Sequence, residues 1–267
     1  MKSFAAAILG LIALAGSAGA QAPATTPPAS RSFQVTYNVI ARGMNAGDFT
    51  YRFNQTGQAY EASASREMKG LIGATLNRSQ DYTYSVRGAV AADGALRPAA
   101  YQHQGGRRRE DRPNGRLVRA SFTANDVDTI ATPAMGMGDP PATAAQRRDV
   151  IDQITAIAAM ATASGEPCAR TMRVYMDGRS RFDFVFTPNG RVNVNTRAYR
   201  GEAQRCSVQF RPIAGFGDPQ EAATLTFLFA RTPSGMYAPV TIEMPTDGAG
   251  IVRLEARWIA INGTPLR

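Results

Sequence analysis

The feature that most constrains this chain is a two-residue alternation of apolar side chains, broken at short intervals by turn-forming dipeptides. It is clearest between Cys168 and Gly215. There Met172, Val174 and Met176 precede Asp177-Gly178, and Phe182, Phe184 and Phe186 precede Pro188-Asn-Gly190. Cys206, Val208 and Phe210 follow. Period two sends successive side chains to opposite faces, so these segments read as strands with one buried face. Asp-Gly and Asn-Gly are favoured two-residue hairpin turns. The stretch predicts an antiparallel meander. Cys168 and Cys206 are the only two cysteines in the protein, so a disulfide has one possible connectivity.

The same alternation recurs on both sides. Phe33, Val35, Tyr37 and Val39 share one face of a first strand, and Phe49, Tyr51 and Phe53 share one face of its return after Gly43. Gln55-Thr-Gly57 turns the chain into Tyr60, Ala62 and Ala64. Strands are also expected up to Val86 through Tyr82 and Tyr84, from Leu96 to Tyr101, and from Leu117 to Phe122. Beyond the meander come Leu225, Phe227 and Phe229, then Tyr237 to Met244, then Val252, Leu254, Ala256 and Trp258, with Trp258 in phase with the inward face. One amphipathic helix is predicted from about Arg147 to Ala163, on the stripe Val150, Ile151, Ile154, Ile157, Ala158 and Ala161. A lone helix in a β-rich chain must bury its apolar face on the sheet, either covering one end or plugging a hollow. The expected fold is mainly β, a strongly curved antiparallel meander forming an incomplete barrel, with the helix packed on or in it. No linker interrupts residues 33–267, which are expected to form a single disulfide-bridged domain.

The ends bear on the compartment. Lys2 precedes an apolar run from Phe4 to Ala15, and Ala18-Gly-Ala20 has the small-x-small form of a signal-peptidase site. A run of about a dozen residues is shorter than the roughly 20 that span a bilayer. Residues 1–20 therefore read as a cleaved signal peptide, and residues 21–32 as a flexible leader rich in Ala, Pro and Thr. The expected location is periplasmic, with no membrane-spanning segment. Oxidising conditions there permit a Cys168–Cys206 disulfide. A metal site would need further ligands, and His103 is the only histidine.

The formal net charge is +9, carried almost wholly by arginine, since Lys2 and Lys69 are the only lysines. The densest cluster is Arg107, Arg108, Arg109 and Arg112, interleaved with Glu110 and Asp111 near the tip of an expected hairpin. It reads either as a solvated turn or as a contact for an anionic headgroup or polysaccharide. Nucleic acid is not an expected partner of an exported protein.

No catalytic signature stands out. A Ser-His-Asp or Cys-His arrangement would have to use His103, and G-x-S-x-G, S-x-x-K, H-E-x-x-H and P-loop patterns are absent. Asp177, Asp183 and Glu202 are the carboxylates that a hydrolase acting on envelope glycan would draw on. The expectation is a non-enzymatic protein with no cofactor and no metal. Its inward aromatic face, with Phe182, Phe184, Phe186 and Trp258, suits a lipid, the acyl anchor of a lipoprotein or another envelope protein. A core packed solid, without a cavity, accounts for the same pattern.

Several short elements, in their order along the chain, resemble the exported bacterial proteins grouped as domain of unknown function 3108. They are Thr36-Tyr-Asn-Val with Gly43, Gly70-Leu71, Leu96-Arg-Pro with Tyr101, and Asp149-Val-Ile-Asp152. Asp177-Gly178-Arg before Arg181-Phe-Asp183, Tyr199-Arg-Gly201 leading to Cys206, and Pro212-Ile-Ala-Gly215 complete the series. The resemblance covers nearly the whole chain after the leader and implies no activity. In layout the chain is also similar, more loosely, to an alphaproteobacterial envelope-integrity protein with a curved sheet like that of lipoprotein carriers. That likeness implies architecture only.

Overall fold

A computed structural model of the protein describes residues 30–69, 81–106, 115–162, 165–246 and 250–266. The expected signal peptide, residues 21–29 of the leader, and Arg107, Arg108, Arg109 and Arg112 lie outside the described residues, while Arg31 and Ser32 of the expected leader already belong to the first strand.

The alternating segments form the strands of one antiparallel sheet. The first meander comprises β1 (Arg31–Ala41), β2 (Met44–Thr56), β3 (Ala59–Met68), β4 (Tyr82–Val90), β5 (Leu96–Gly105), β6 (Arg116–Phe122) and β7 (Val127–Thr132). The helix α1 (Gln153–Thr162) follows. The second meander comprises β8 (Thr171–Met176), β9 (Ser180–Asn195), β10 (Arg200–Ala214), β11 (Ala223–Arg231), β12 (Tyr237–Thr246) and β13 (Gly250–Ile261), with the short β14 (Thr264–Pro265) paired to β13. The first meander runs outward from β1 to β7, and the second from β13 to β8. They join where β1 meets β13, with Val35 opposite Ile259 and Val39 opposite Leu254.

Strand twist accumulates across so many strands, and the sheet curls until its outer strands approach without pairing. A Cβ on Gly178, in the β8–β9 turn, would fall 2.6 Å from Thr129 of β7 and 2.9 Å from Val118 of β6. The chain between β7 and α1 spans this seam. Asp149 donates its N–H to the Ala124 carbonyl, and Ile151 lies parallel to β8, donating to Arg173 and accepting from Tyr175. The barrel is incomplete, as expected.

The apolar stripe predicts a helix from Arg147, but α1 begins only at Gln153. Asp149 sits at a φ of +49°, outside the helical region, and Ile151 is used as a strand partner. Asp152 then caps the helix: Oδ1 accepts the N–H groups of Ile154 (2.9 Å) and Thr155 (3.0 Å). The helix is also not amphipathic in its surroundings. Ile154, Ala158 and Ala161 pack with Phe33, Tyr51, Phe53 and Tyr60, while Ala156 and Met160 pack with Phe182, Phe186, Val208 and Phe227. A helix buried on opposite sides fills the hollow and separates two apolar clusters.

Two further expectations are corrected by β-bulges. Asn189-Gly190 is not a hairpin turn. Pro188 faces Cys206 and Arg191 faces Gln204, so Asn189 and Gly190 stand opposite Arg205 alone, with Gly190 at a φ of +79°. The chain reverses after Asn195 instead, where Thr196 N–H meets the Tyr199 carbonyl. Trp258 is not inward but 41% exposed. Thr36 faces Trp258 and Tyr37 faces Ala256, which leaves Arg257 as an extra residue and turns Trp258 outward and Ile259 inward.

Cys168, in the turn after α1, and Cys206, on β10, stand at disulfide distance with Cα atoms 5.3 Å apart, both fully buried. The bridge reaches across β9 and ties the helix exit to the second apolar cluster.

Candidate functional site

The two ends of the curled sheet are built differently. At the end carrying the β2–β3 and β11–β12 turns, the interior is filled by α1. The Tyr51 hydroxyl donates to the Ile154 carbonyl at 3.0 Å, Tyr60 and Thr155 share a hydroxyl–hydroxyl bond at 2.8 Å, and Arg31 reaches the Thr162 carbonyl. At the opposite end, carrying the β1–β2 and β8–β9 turns, inward-phase side chains are covered only in part. They include Phe49 and Tyr84 of the first meander, and Phe184, Phe210, Met244 and Leu254 of the second. The rim at this end also exposes Met44 (55%), Ile213 (37%), Ile251 (62%) and Met137 (40%).

A polar cluster lies just inside this end, where β5, the start of α1 and the β8–β9 turn converge. Alternation on β5 places Tyr101 and His103 on the inner face, both buried. Asp177 occupies the left-handed turn position before Gly178, with a φ of +52°. Gln153, the first residue of α1, donates Nε2 to Asp177 Oδ1 at 2.7 Å and to the Tyr101 hydroxyl, while its Oε1 accepts the Asp177 N–H. Having accepted from Gln153, Tyr101 has its own proton to give. His103 Nδ1 lies at 3.0 Å and Asp177 Oδ1 at 3.4 Å, so the nearer nitrogen takes it. Nδ1 as acceptor leaves the ring proton on Nε2, which has no partner among the described residues. Burial holds His103 below the usual histidine range. The Asp177 carboxylate acts in the opposite direction, and Arg116 adds to the lowering. Burial likewise pushes Tyr101 well up, and the charge of Asp177 adds to it.

A cavity of about 430 Å³ opens beside this cluster. His103, Asp177 and Tyr82 form one side of it; Met176, Phe210 and Phe216 form another. Arg116 and Arg179 stand on the same wall, together with Asp218 and Gln220. Both guanidinium groups are held by the segment after β7. Arg116 donates Nε to the Pro133 carbonyl at 3.0 Å, and Arg179 donates Nη1 to the Gly136 carbonyl at 3.2 Å. That segment is pinned against the residues just after β10 by Asp139 N–H to the Phe216 carbonyl and Gly215 N–H to the Pro140 carbonyl. The two backbones come so close that a Cβ on Gly138 would lie 2.1 Å from the Gly215 carbonyl carbon.

The residues singled out in the sequence are distributed unevenly about this site. Phe182 and Phe186 do face inward, but they are buried in the second apolar cluster. Phe182 lies 5.0 Å from Phe210 and Phe186 lies 5.6 Å from Phe227, ring centre to ring centre. Phe184 is the one of the three that stays partly open. Trp258 faces away from the interior. The carboxylates do not converge: Asp183 pairs with Arg181 at 2.7 Å, Glu202 pairs with Arg191 at 3.1 Å, and Asp177 is held by Gln153 at 2.7 Å. Missed by sequence reasoning were Gln153, Arg116, Arg179 and Phe216. The only local signal was Tyr101-x-His103, two groups able to hydrogen-bond on one strand face.

A pH dependence follows from His103. Its folded-state value lies below the ordinary 6.5 or so, so between the two values the unfolded chain binds more protons and stability rises with pH. The stabilisation is complete above about 6.5 and is lost as pH falls through the folded-state value. Urea unfolding at a series of pH values should show a stability loss on acidification that is smaller in His103→Gln; equal losses would refute the depressed value.

No curated protein and no solved structure matches the chain significantly. The match that carries information is to a family model described as Protein of unknown function (DUF3108), over residues 32–257. That span takes in β1 to most of β13, and with them the helix, the cysteine pair and every residue of the cavity wall. The chain belongs to the DUF3108 family.

Proposed function

We propose that this protein is a non-enzymatic component of the periplasm that supports the cell envelope by binding a lipid or the acyl anchor of a lipoprotein. The observation that carries the reading is the contrast between the two ends of the sheet. One end is filled by α1, while at the other Phe49, Tyr84, Phe184, Phe210 and Leu254 stay partly uncovered on the inner face. Inward aromatics left open beside a cavity suit an apolar ligand. The exposed Met44, Met137, Ile213 and Ile251 around the same end suit contact with the membrane or lipoprotein that supplies it. Export through the signal peptide expected in residues 1–20 is part of the proposal.

The protein prepared from the periplasm of an expressing cell, then examined by native mass spectrometry, tests it. The expected spectrum contains a population heavier by the mass of a lipid, released on collisional activation. Protein free of any lipid, and unable to take up a fluorescent fatty acid from solution, would end the acyl-chain reading.

A further inference from the structure

The arginines of the cavity wall distinguish it from a purely apolar pocket. Arg116 donates to the carbonyls of Pro133 and Ala134, and Arg179 to that of Gly136. Neither makes an ion pair with a carboxylate among the described residues. Carbonyl oxygens orient a guanidinium without cancelling its charge, and most of the five N–H donors on each group remain unused. Of the two carboxylates on the wall, Asp177 is already engaged by Gln153, and Asp218 makes no ion pair with either arginine among the described residues. On the same wall His103 contributes an imidazole with Nε2 unpaired among the described residues. Arg66 lies with its guanidinium 4.9 Å from the centre of the Tyr82 ring, so Tyr82 sits within the field of Arg66, Arg116 and Arg179 together. Directly beside these donors stand Met135, Met176, Phe210 and Phe216, none fully buried.

Cationic donors on one side of a cavity and half-open aromatic and thioether groups on the other describe an amphiphile in negative. We infer that the cavity binds an anionic amphiphile. Its carboxylate or phosphate head lies between Arg116 and Arg179, and its hydrocarbon chain lies over Phe210, Phe216 and Met176 toward Phe184. This rests on the proposal that the protein binds lipid and goes beyond it, because it names the charge of the head and the residues that read it. Two oriented guanidinium groups suit a carboxylate or phosphate through paired N–H···O bonds. A neutral head of the same chain length would leave them without a partner.

Calorimetric titration of the full oxidised protein with dodecanoate, dodecanol, acetate and inorganic phosphate separates head from chain. The expected order is dodecanoate tightest, dodecanol weaker by about tenfold to a hundredfold, the range for charge-assisted hydrogen bonds, and the chainless anions weakest. In the double variant Arg116→Gln, Arg179→Gln the preference for dodecanoate over dodecanol should vanish while dodecanol binding stays as it was. Equal binding of dodecanoate and dodecanol to the native protein would overturn the anion site and leave the lipid reading standing. Binding of neither chain would overturn both. Phosphate binding as tight as dodecanoate would refute the amphiphile in favour of a free-anion site. If the double variant does not fold, the comparison of the two chains on the native protein decides the matter alone.

Discussion

Replacing Cys168 and Cys206 by serine should lower the thermal midpoint of the oxidised protein by on the order of 10 °C. The cysteines are separated by 38 residues in sequence. Closing a loop of that length removes unfolded-state entropy worth roughly 3–4 kcal/mol. For a domain of this size each kcal/mol moves the midpoint by about 2–4 °C. The loop so closed contains β8, β9 and the start of β10, three adjacent strands at one edge of the sheet. An edge meander is the part of a sheet with the fewest neighbours and opens first. Loss of the bridge should therefore show locally before it shows globally: amide exchange should speed up in β8 and β9 while β1, β2 and β13 stay protected. The polar replacement adds to the cost, because both positions are fully buried among Met172, Val174 and Phe186. Reduction of the native protein isolates the covalent part. A midpoint that is the same oxidised and reduced would show that the bridge does not hold the edge.

The second large effect is expected at Asp152. The residue is fully buried at the first turn of α1, where Oδ1 accepts from the Ile154 and Thr155 N–H groups and Oδ2 accepts the Thr155 hydroxyl at 2.6 Å. Thr155 in turn meets Tyr60, which ties the helix start to β3. Asp152→Ala removes an N-cap, worth about 1 kcal/mol, and leaves buried donors without acceptors at about 1–3 kcal/mol each. Part of that is offset, since the carboxyl itself is costly to bury. Burial raises its titration above the usual carboxylate range, against the lowering effect of the Thr155 side-chain and backbone bonds. The net loss should be about 3 kcal/mol, read as a shift in the urea midpoint at unchanged slope. Asp152→Asn keeps the one oxygen that accepts both N–H groups, without the charge, and turns the Thr155 contact around, with the amide nitrogen donating to the hydroxyl oxygen; it should cost about 1 kcal/mol. The native carboxyl also carries a pH signature of opposite sign to that of His103. The folded state holds this proton more tightly than the unfolded state, so stability falls as pH rises from about 4 through the folded-state value. The Asn variant should lack that segment. An Ala variant as stable as the Asn variant would mean that the cap contributes nothing.

Much of the architecture was legible because period-two alternation is a local property. Phe33 to Val39, Phe49 to Phe53 and Phe182 to Phe186 each needed only their own neighbours to announce a strand with one buried face. The failures sit where a local rule was broken by one residue. Arg257 adds a residue to β13 and turns Trp258 outward, and nothing in Ala256-Arg-Trp258 announces the slip, because the bulge is defined by the pairing with Thr36 and Tyr37 on β1. Asn189-Gly190 carries a turn signature that the pairing with β10 spends on a bulge instead. Val150 and Ile151 extended the helical stripe because a seam-filling strand and a helix face ask for the same apolar residues.

The candidate site was nearly invisible for a different reason. Tyr101 and Asp177 are 76 residues apart, Tyr101 and Gln153 are 52 apart, and the arginines owe their orientation to carbonyls of a segment without regular structure. What the sequence determined by itself was the strands, their buried faces, the pairing of two lone cysteines and the existence of one helix, all readable from neighbours a few residues away. What only the tertiary structure decided was where the helix goes and which end stays open. The curl of the sheet brings β7 toward β8 and admits α1 at one end alone. Strand curvature is summed over thirteen strands of the path, and no short window of residues carries that sum.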